Sequence, residues 1–370
     1  MTEVTNDSNH PVTREGLLAH LATLNLPYGD GGPSLADTVH DVSFGADQTV
    51  RITFKLPVAV LPFAQRAIAR SIESTWPSCS VQLVFEYKIA AHVANAGLAP
   101  VPGVANMIAV ASGKGGVGKS TTAVNLALAL AASGARVGLL DADIYGPNQP
   151  KMLGGVEKPA LREDKKLEPV LRHGLQTMSM GYLVGEETPM MWRGPMISTA
   201  LTQLLQDTAW DAVDYLIVDL PPGTGDIILS LAQKLPLSAA VMVTTPEAVA
   251  VLDVQKALAC FEKTAIPVLG IIENMAGYHC THCGHEAPLF GEGGGHALAD
   301  ALGLPLLGQL PLDPQIGVDA NRGCPTVIAA PESSMALQYQ AIAQQLVMGL
   351  STLKPSYAHL FKHVVVENKK

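Results

Sequence analysis

Long apolar runs are missing from this sequence. Nowhere do the roughly eighteen consecutive apolar residues of a membrane-spanning helix occur. The first residues, Met1–Asp7, are polar and lack the apolar core of a signal peptide. The expected compartment is therefore the cytosol, with no stable membrane association. Positive charge is scarce as well. Against 33 acidic side chains stand 24 lysines and arginines, a formal net charge of −9. Nonspecific nucleic-acid binding needs a basic surface that releases counterions, so nucleic acid is not an expected partner. Cysteine is sparse, five in 370 residues. That excludes a disulfide framework and leaves one close pair, Cys280 and Cys283, as a candidate for metal or redox chemistry in a reducing compartment. Internal repeats and low-complexity tracts are absent too.

Glycine, in contrast, is present in a telling pattern. Gly113-Lys-Gly-Gly-Val-Gly-Lys-Ser120 has the spacing of a phosphate-binding P-loop. Gly113, Gly115, Gly116 and Gly118 let backbone N–H groups around Val117 turn inward onto phosphate oxygens. Lys119 would meet the β- and γ-phosphates, and the Ser120 hydroxyl suits Mg²⁺, with Thr121 completing the segment. Met107–Ser112 reads as a short buried strand and Ser120–Ala132 as a helix rich in Ala and Leu, which is the strand-loop-helix setting the motif requires. The helix N-terminus adds free N–H groups and partial positive charge. ATP and Mg²⁺ are the implied cofactors. Lys114 is an additional cation at the loop's mouth, where its own nucleotide is not the obvious partner.

At 370 residues with 48% hydrophobic content the chain can bury a sizeable core, in two domains or one large and one small. Residues 36–87 read as strand, strand, helix, strand, with alternation in Val50–Phe54 and Val81–Phe85 and helical character over Pro62–Thr75. Lys88–Asn106 is aperiodic and contains two prolines, as a linker does. From Met107 onward apolar strands alternate with helical stretches: Arg136–Leu140, Tyr215–Val218, Ala239–Val243, Pro267–Ile272 and Pro305–Gly308. The expected fold is α/β, a P-loop NTPase with a mostly parallel sheet covered by helices on both faces, preceded by a small α+β domain. The expected divisions are 1–95 for that small domain, 96–106 for the linker, 107–350 for the ATPase domain and 351–370 for a C-terminal tail.

Carboxylates arrive at the same strand ends as the P-loop. Arg136–Leu140 runs into Asp141-Ala-Asp143, and Asp143 is the candidate to orient an attacking water, since phosphoryl transfer is mostly positioning and charge stabilisation. Leu216-Ile-Val-Asp219-Leu-Pro-Pro-Gly-Thr-Gly-Asp226 reads as a Walker B strand and a second switch segment. There Asp219 would hold Mg²⁺ through water and Gly223, lacking a side chain, could bring its N–H to the γ-phosphate. Asn274 is expected to end the strand Pro267–Ile272, and its amide offers a donor and an acceptor to the adenine edge.

Cys280 and Cys283 are expected in a loop between that strand and the glycine-rich Gly291–Gly295. Two thiolates three positions apart bind one metal side by side but supply half of a four-sulfur shell. A twofold dimer closes such a site without further sequence, because each subunit presents the same pair at the axis. Zinc completed by His279, His282 or His285, a thiol–disulfide pair, and two incidental loop thiols are the competing readings. Cys79, Cys260 and Cys324 stand alone and receive no function.

Lys-Gly-Gly-x-Gly-Lys-Ser resembles the deviant Walker A ATPases, in which the signature lysine reaches across a twofold dimer to the partner's phosphates; for Lys114 the resemblance implies that role. The closer resemblance, over essentially the whole chain, is to the Mrp/ApbC family of iron-sulfur cluster carriers. It rests on Gly113–Ser120, Asp141-Ala-Asp-Ile-Tyr-Gly-Pro147, Met191-Trp-Arg-Gly-Pro-Met196, Asp219–Asp226, Glu273-Asn-Met275, the pair Cys280 and Cys283, and Phe290-Gly-Glu-Gly-Gly-Gly295. It implies a cytosolic homodimer that binds a labile [4Fe-4S] cluster through its Cys-x2-Cys pairs, hydrolyses ATP slowly, takes the cluster from a donor and passes it to apo-proteins. It also implies a small iron-sulfur assembly-associated domain at the N-terminus. Asn148 stands where the family commonly has serine, and that N-terminal unit has Cys79 as its single cysteine. A nitrogenase-type reductase would need cysteines near the switch segments, and none occurs between Cys79 and Cys260. A membrane-positioning ATPase would need a basic amphipathic anchor, of which the tail after Pro355 has only a faint likeness.

Overall fold

A computed structural model of the chain describes residues 12–24, 34–92, 98–155, 157–183, 194–280 and 282–355. The N-terminal Met1–Asp7, the segment Met191–Arg193, Thr281 and the tail from residue 356 lie outside the described residues. The chain divides into two compact units, residues 1–89 with 132–134, and residues 90–131 with 135–370.

In the smaller unit β1 (Val39–Phe44) pairs antiparallel with β2 (Thr49–Leu56), and β2 pairs parallel with β3 (Ser80–Tyr87). The parallel pair is made possible by the crossover helix Pro62–Thr75. Pro62 opens this helix, where its missing N–H costs no hydrogen bond. Ala64, Ile68 and Ile72 recur every fourth residue and form its buried stripe. The helix packs on β3, and the alternating Val50, Ile52, Phe54 and Leu56 of β2 are buried as well.

The larger unit is a nine-stranded sheet. Its strands are β4 (Val104–Ser112), β5 (Val137–Asp141), β6 (Val170–Arg172), β7 (Leu175–Ser179), β8 (Val213–Asp219), β9 (Ala239–Thr244), β10 (Val268–His279), β11 (Glu286–Ala287) and β12 (Leu306–Leu312). The order runs β11-β10-β9-β4-β8-β5-β7-β6, with β12 also on β10. Every pairing from β12 to β7 is parallel, and only β6 and β11 add antiparallel edges. β4, β5, β8 and β9 are buried almost throughout, the pattern of strands covered by helices on both faces. The chain leaves β4 for β5 on one side and later passes from β8 to β9 on the other. The crevice beyond the carboxyl ends of β8, β4 and β9 is therefore a topological switch point, the usual place for a ligand on such a sheet.

Several strands differ in their ends from the sequence expectation, and β4 and β10 bear on the site. β4 begins at Val104 rather than Met107, because Val104 already pairs with Val213. β10 runs to His279 instead of stopping before Asn274, so Asn274 lies inside a strand and the segment after it is a hairpin arm rather than a loop. Backbone pairing supplies the reason: Tyr278 faces Ala287 and His279 faces Glu286 on β11.

Phe261, on the helix Ala248–Lys263, is fully buried in the main core with Leu235, Leu237 and Ile266. We expect Phe261→Ala to lower unfolding free energy by about 3–5 kcal/mol in urea denaturation, through lost transfer energy and the cavity left behind. A loss below about 1 kcal/mol would contradict the packing described.

Candidate functional site

The P-loop crosses from β4 to the helix Lys119–Ala132 at that switch point. Gly116 and Gly118 hold φ of +80° and +84°, a region that strains any side chain. A Cβ on Gly113 would collide with the backbone of Asp253, so the helix Ala248–Lys263 packs directly on the loop's first turn. A Cβ on Gly118 would collide with the Asn274 amide. Val117 is buried and Gly115 lies near Pro222 of the second switch segment.

Charge is concentrated beneath the loop. Lys119, 5% exposed, forms an ion pair with Asp219, 1% exposed, and approaches the Ser120 hydroxyl at 3.2 Å. Asp141 and Asp219 are direct cross-strand partners on β5 and β8, so the sheet itself places two carboxylates side by side. Burial, and after it the charge of Asp219, pushes Asp141 up to about 8. That shift favours the neutral form of Asp141 beside the Lys119–Asp219 pair. Its oxygens accept from Ser179 Oγ (3.0 Å), Gln149 N (3.1 Å) and Asp143 N (3.2 Å), which ties the segment after β5 to the strand end. Asp143 is raised as well, chiefly by burial, and its Oδ1 is buried without a hydrogen-bond partner.

Gln149 joins these groups, and no motif in the sequence marks it. Its Nε2 donates to Asp219 Oδ2 at 2.8 Å and to the Ser120 carbonyl at 3.0 Å. Glu247 is the second residue that sequence reasoning missed; it pairs with Lys114 within the chain. A signal for it existed, since Glu247 follows the end of β9 much as Asp143 follows β5. The N–H of Gly223 donates to the Ser112 carbonyl at 3.1 Å. A phosphate contact from Gly223 requires that bond to open.

Asn274 donates from Nδ2 to the Val117 carbonyl at 2.8 Å. A carbonyl can only accept, so the amide orientation is fixed, and Oδ1 and the second Nδ2 hydrogen are left for a ligand. Asn274 lines a cavity of ≈ 250 Å³ together with Gly118, Thr121, Met275, Asp313 and Tyr339.

Cys280 and Cys283 sit at the tip of the β10–β11 hairpin. The turn is closed by Cys280 N donating to the His285 carbonyl (2.9 Å) and Gly284 N to the Cys280 carbonyl (2.8 Å), with Gly284 at φ +72°. Cys280 is half-buried and Cys283 exposed. The backbone N–H groups of Cys283 and His282 lower the Cys280 thiol, favouring thiolate. His279 is engaged by Glu286 at 2.8 Å. Among the described residues no group of three or more His, Cys, Asp or Glu gathers as a metal site. The hairpin alone thus offers two thiols.

Comparison with known proteins gives the same outline. The family model described as NUBPL iron-transfer P-loop NTPase, within ParA, matches residues 103–347. An iron-sulfur cluster carrier protein of Pseudomonas fragi is 54% identical over 264 residues, 71% of this chain and 92% of its own. One from Haemophilus influenzae is 44% identical over 314 residues, 84% of this chain and 85% of its own. A nucleotide-binding protein from Archaeoglobus fulgidus, solved in complex with ADP, superimposes with a TM-score of 0.55 at 37% identity, over 63% of this chain and 91% of that one.

The raised Asp141 has a measurable consequence. A carboxyl whose folded value lies above 3.8, at about 8, holds a proton that the unfolded chain releases. Its stabilising contribution is complete below the unfolded value and falls as pH rises toward 8. We expect the melting temperature of the wild-type chain to fall more steeply between those limits than that of Asp141→Asn. Parallel curves would contradict the assignment.

Proposed function

Because this chain belongs to the NUBPL iron-transfer P-loop NTPase family, we propose that it binds and hydrolyses ATP and carries a [4Fe-4S] cluster, its cargo, from a donor to apo-proteins. The observation that carries this reading is the pairing of a complete phosphate loop with a half-complete thiol site on one chain, the two touching the same strand, β10. The protein acts as a cytosolic homodimer. Each subunit contributes Cys280 and Cys283, and four thiolates meet at the twofold axis. With no third protein ligand beside the pair among the described residues, a shared site is favoured over zinc closed within one chain.

Nucleotide binding redistributes the charges beneath the loop. Lys119 turns from Asp219 to the β- and γ-phosphates, which relieves the cost of leaving either charge buried alone. Loop N–H groups from Gly113 to Thr121 and the helix N-terminus receive phosphate oxygens. The Ser120 hydroxyl and the Asp219 carboxylate would hold Mg²⁺. They are the oxygen donors that a hard cation prefers, and two buried, unpartnered oxygens, Asp143 Oδ1 and Gln149 Oε1, accompany them. When bound, that ion neutralises charge on the phosphoryl oxygens. Asp143 orients the attacking water, and Gly223 takes up the γ-phosphate once its bond to Ser112 opens. Lys114 exchanges Glu247 for the phosphates of the partner subunit, so triphosphate tightens the dimer and hydrolysis loosens it.

Base choice follows from Asn274. With one Nδ2 hydrogen on the Val117 carbonyl and the amide orientation thereby fixed, Oδ1 accepts from the exocyclic amino group of adenine, which guanine replaces by the O6 acceptor.

Two outcomes are expected. The double variant Cys280→Ser, Cys283→Ser, reconstituted anaerobically, loses cluster iron and visible absorbance and still binds ATP; wild-type iron content in the variant would refute the shared-thiolate site. Asn274→Ala loses about ten-fold of the preference for ATP over GTP in competition binding, the scale of one hydrogen bond. Unchanged preference would remove Asn274 from base recognition.

A further inference from the structure

Gln149 is a polar side chain only 1% exposed, on the segment that follows β5. Its backbone N–H is held by Asp141 Oδ2 at 3.1 Å, which fixes where the side chain starts. Both hydrogens of the carboxamide nitrogen have acceptors, Asp219 Oδ2 at 2.8 Å and the Ser120 carbonyl at 3.0 Å. Donation of both protons fixes the amide orientation and leaves Oε1 as its free atom. That oxygen is buried and has no hydrogen-bond partner. Buried acceptors are almost always satisfied, so an orphan of this kind marks a place where a donor belongs.

The surroundings define which donor. Asp219 and Ser120, the two residues that Gln149 joins, are those expected to hold the divalent ion. Asp143 supplies a second unpartnered buried oxygen, Oδ1. Oxygen acceptors without protons of their own suit the O–H groups of a hydrated cation, and Mg²⁺ gives up its waters reluctantly. A residue that orients a metal ligand through a hydrogen bond, without touching the metal, tunes affinity strongly.

We propose that Gln149 is a positioning residue for the divalent ion: its carboxamide clamps Asp219 to the P-loop through Nε2 and offers Oε1 to the ion's water shell. The inference rests on the reading of this loop as a nucleotide site. It assigns Gln149 no contact with phosphate and no proton transfer. Gln149 therefore acts on how well the ion binds beside the nucleotide and not on the nucleotide itself.

Binding of a fluorescent ADP analogue to the full-length protein, titrated with MgCl₂ and repeated in EDTA, separates the possibilities. For Gln149→Ala we expect the magnesium concentration at half-effect to rise about 10–100-fold, with affinity in EDTA unchanged. Gln149→Glu keeps the volume but sets an acceptor oxygen against Asp219 Oδ2 and the Ser120 carbonyl in place of the donating Nε2, so it is expected to lose the clamp and not to restore the magnesium midpoint. A clamp with only a structural role would weaken binding equally with and without magnesium in both variants, and that result overturns the proposal. So does an unaltered magnesium midpoint in Gln149→Ala. If the wild-type protein itself binds the analogue with no magnesium dependence, the reading of the site fails together with the inference. A normal wild-type response with an unaltered variant defeats the inference alone.

Discussion

The buried ion pair between Lys119 and Asp219 is the interaction on which the rest of the site depends. Neither group can stand alone at that depth, since an unpaired buried charge costs several kcal/mol. Each is also the group that a nucleotide would claim, the lysine for phosphate and the carboxylate for the metal. A ligand that supplies both charges at once can replace this pair without leaving either group buried alone. Asp141 faces Asp219 across the sheet, and its burial together with that neighbouring charge raises its carboxyl, which favours the neutral form next to the ion pair. The same arrangement spreads outward: Gln149 bridges Asp219 to the loop, Lys114 is held by Glu247, and Gly223 by Ser112.

Position in the sheet explains how much of this was legible beforehand. The P-loop could be read from glycine spacing alone, because Gly116 and Gly118 occupy backbone angles that other residues avoid. The strands that carry Asp143 and Asp219 were visible as short apolar runs ending in acid. Gln149 was not, since its importance lies in a fold that returns the chain to Asp219 seventy residues away in sequence. Glu247 likewise acquires a partner only through the packing of the helix Ala248–Lys263 on the loop. The length of β10 was misjudged because Glu273-Asn-Met-Ala-Gly lacks a β signature, and pairing with β11 and β12 overrides that local preference.

β10 gives the two halves of the proposed activity a common element. Asn274 binds the P-loop backbone at Val117, and five residues on the strand reaches its end beside Cys280. Between them Met275 adopts φ +58°, rare for a residue with a side chain, and the register with β12 shifts between Asn274 and Tyr278. The strand thus runs from Val268 to His279 with one irregular point, next to the wall of the cavity that Asn274 and Met275 line.

The central claim is that one chain holds half of a cluster site and that two chains complete it. Native mass spectrometry of the anaerobically reconstituted protein tests this directly. The account predicts a species of two chains carrying one [4Fe-4S] cluster. A cluster retained by a single chain, or two independent metal centres in a dimer, would contradict it.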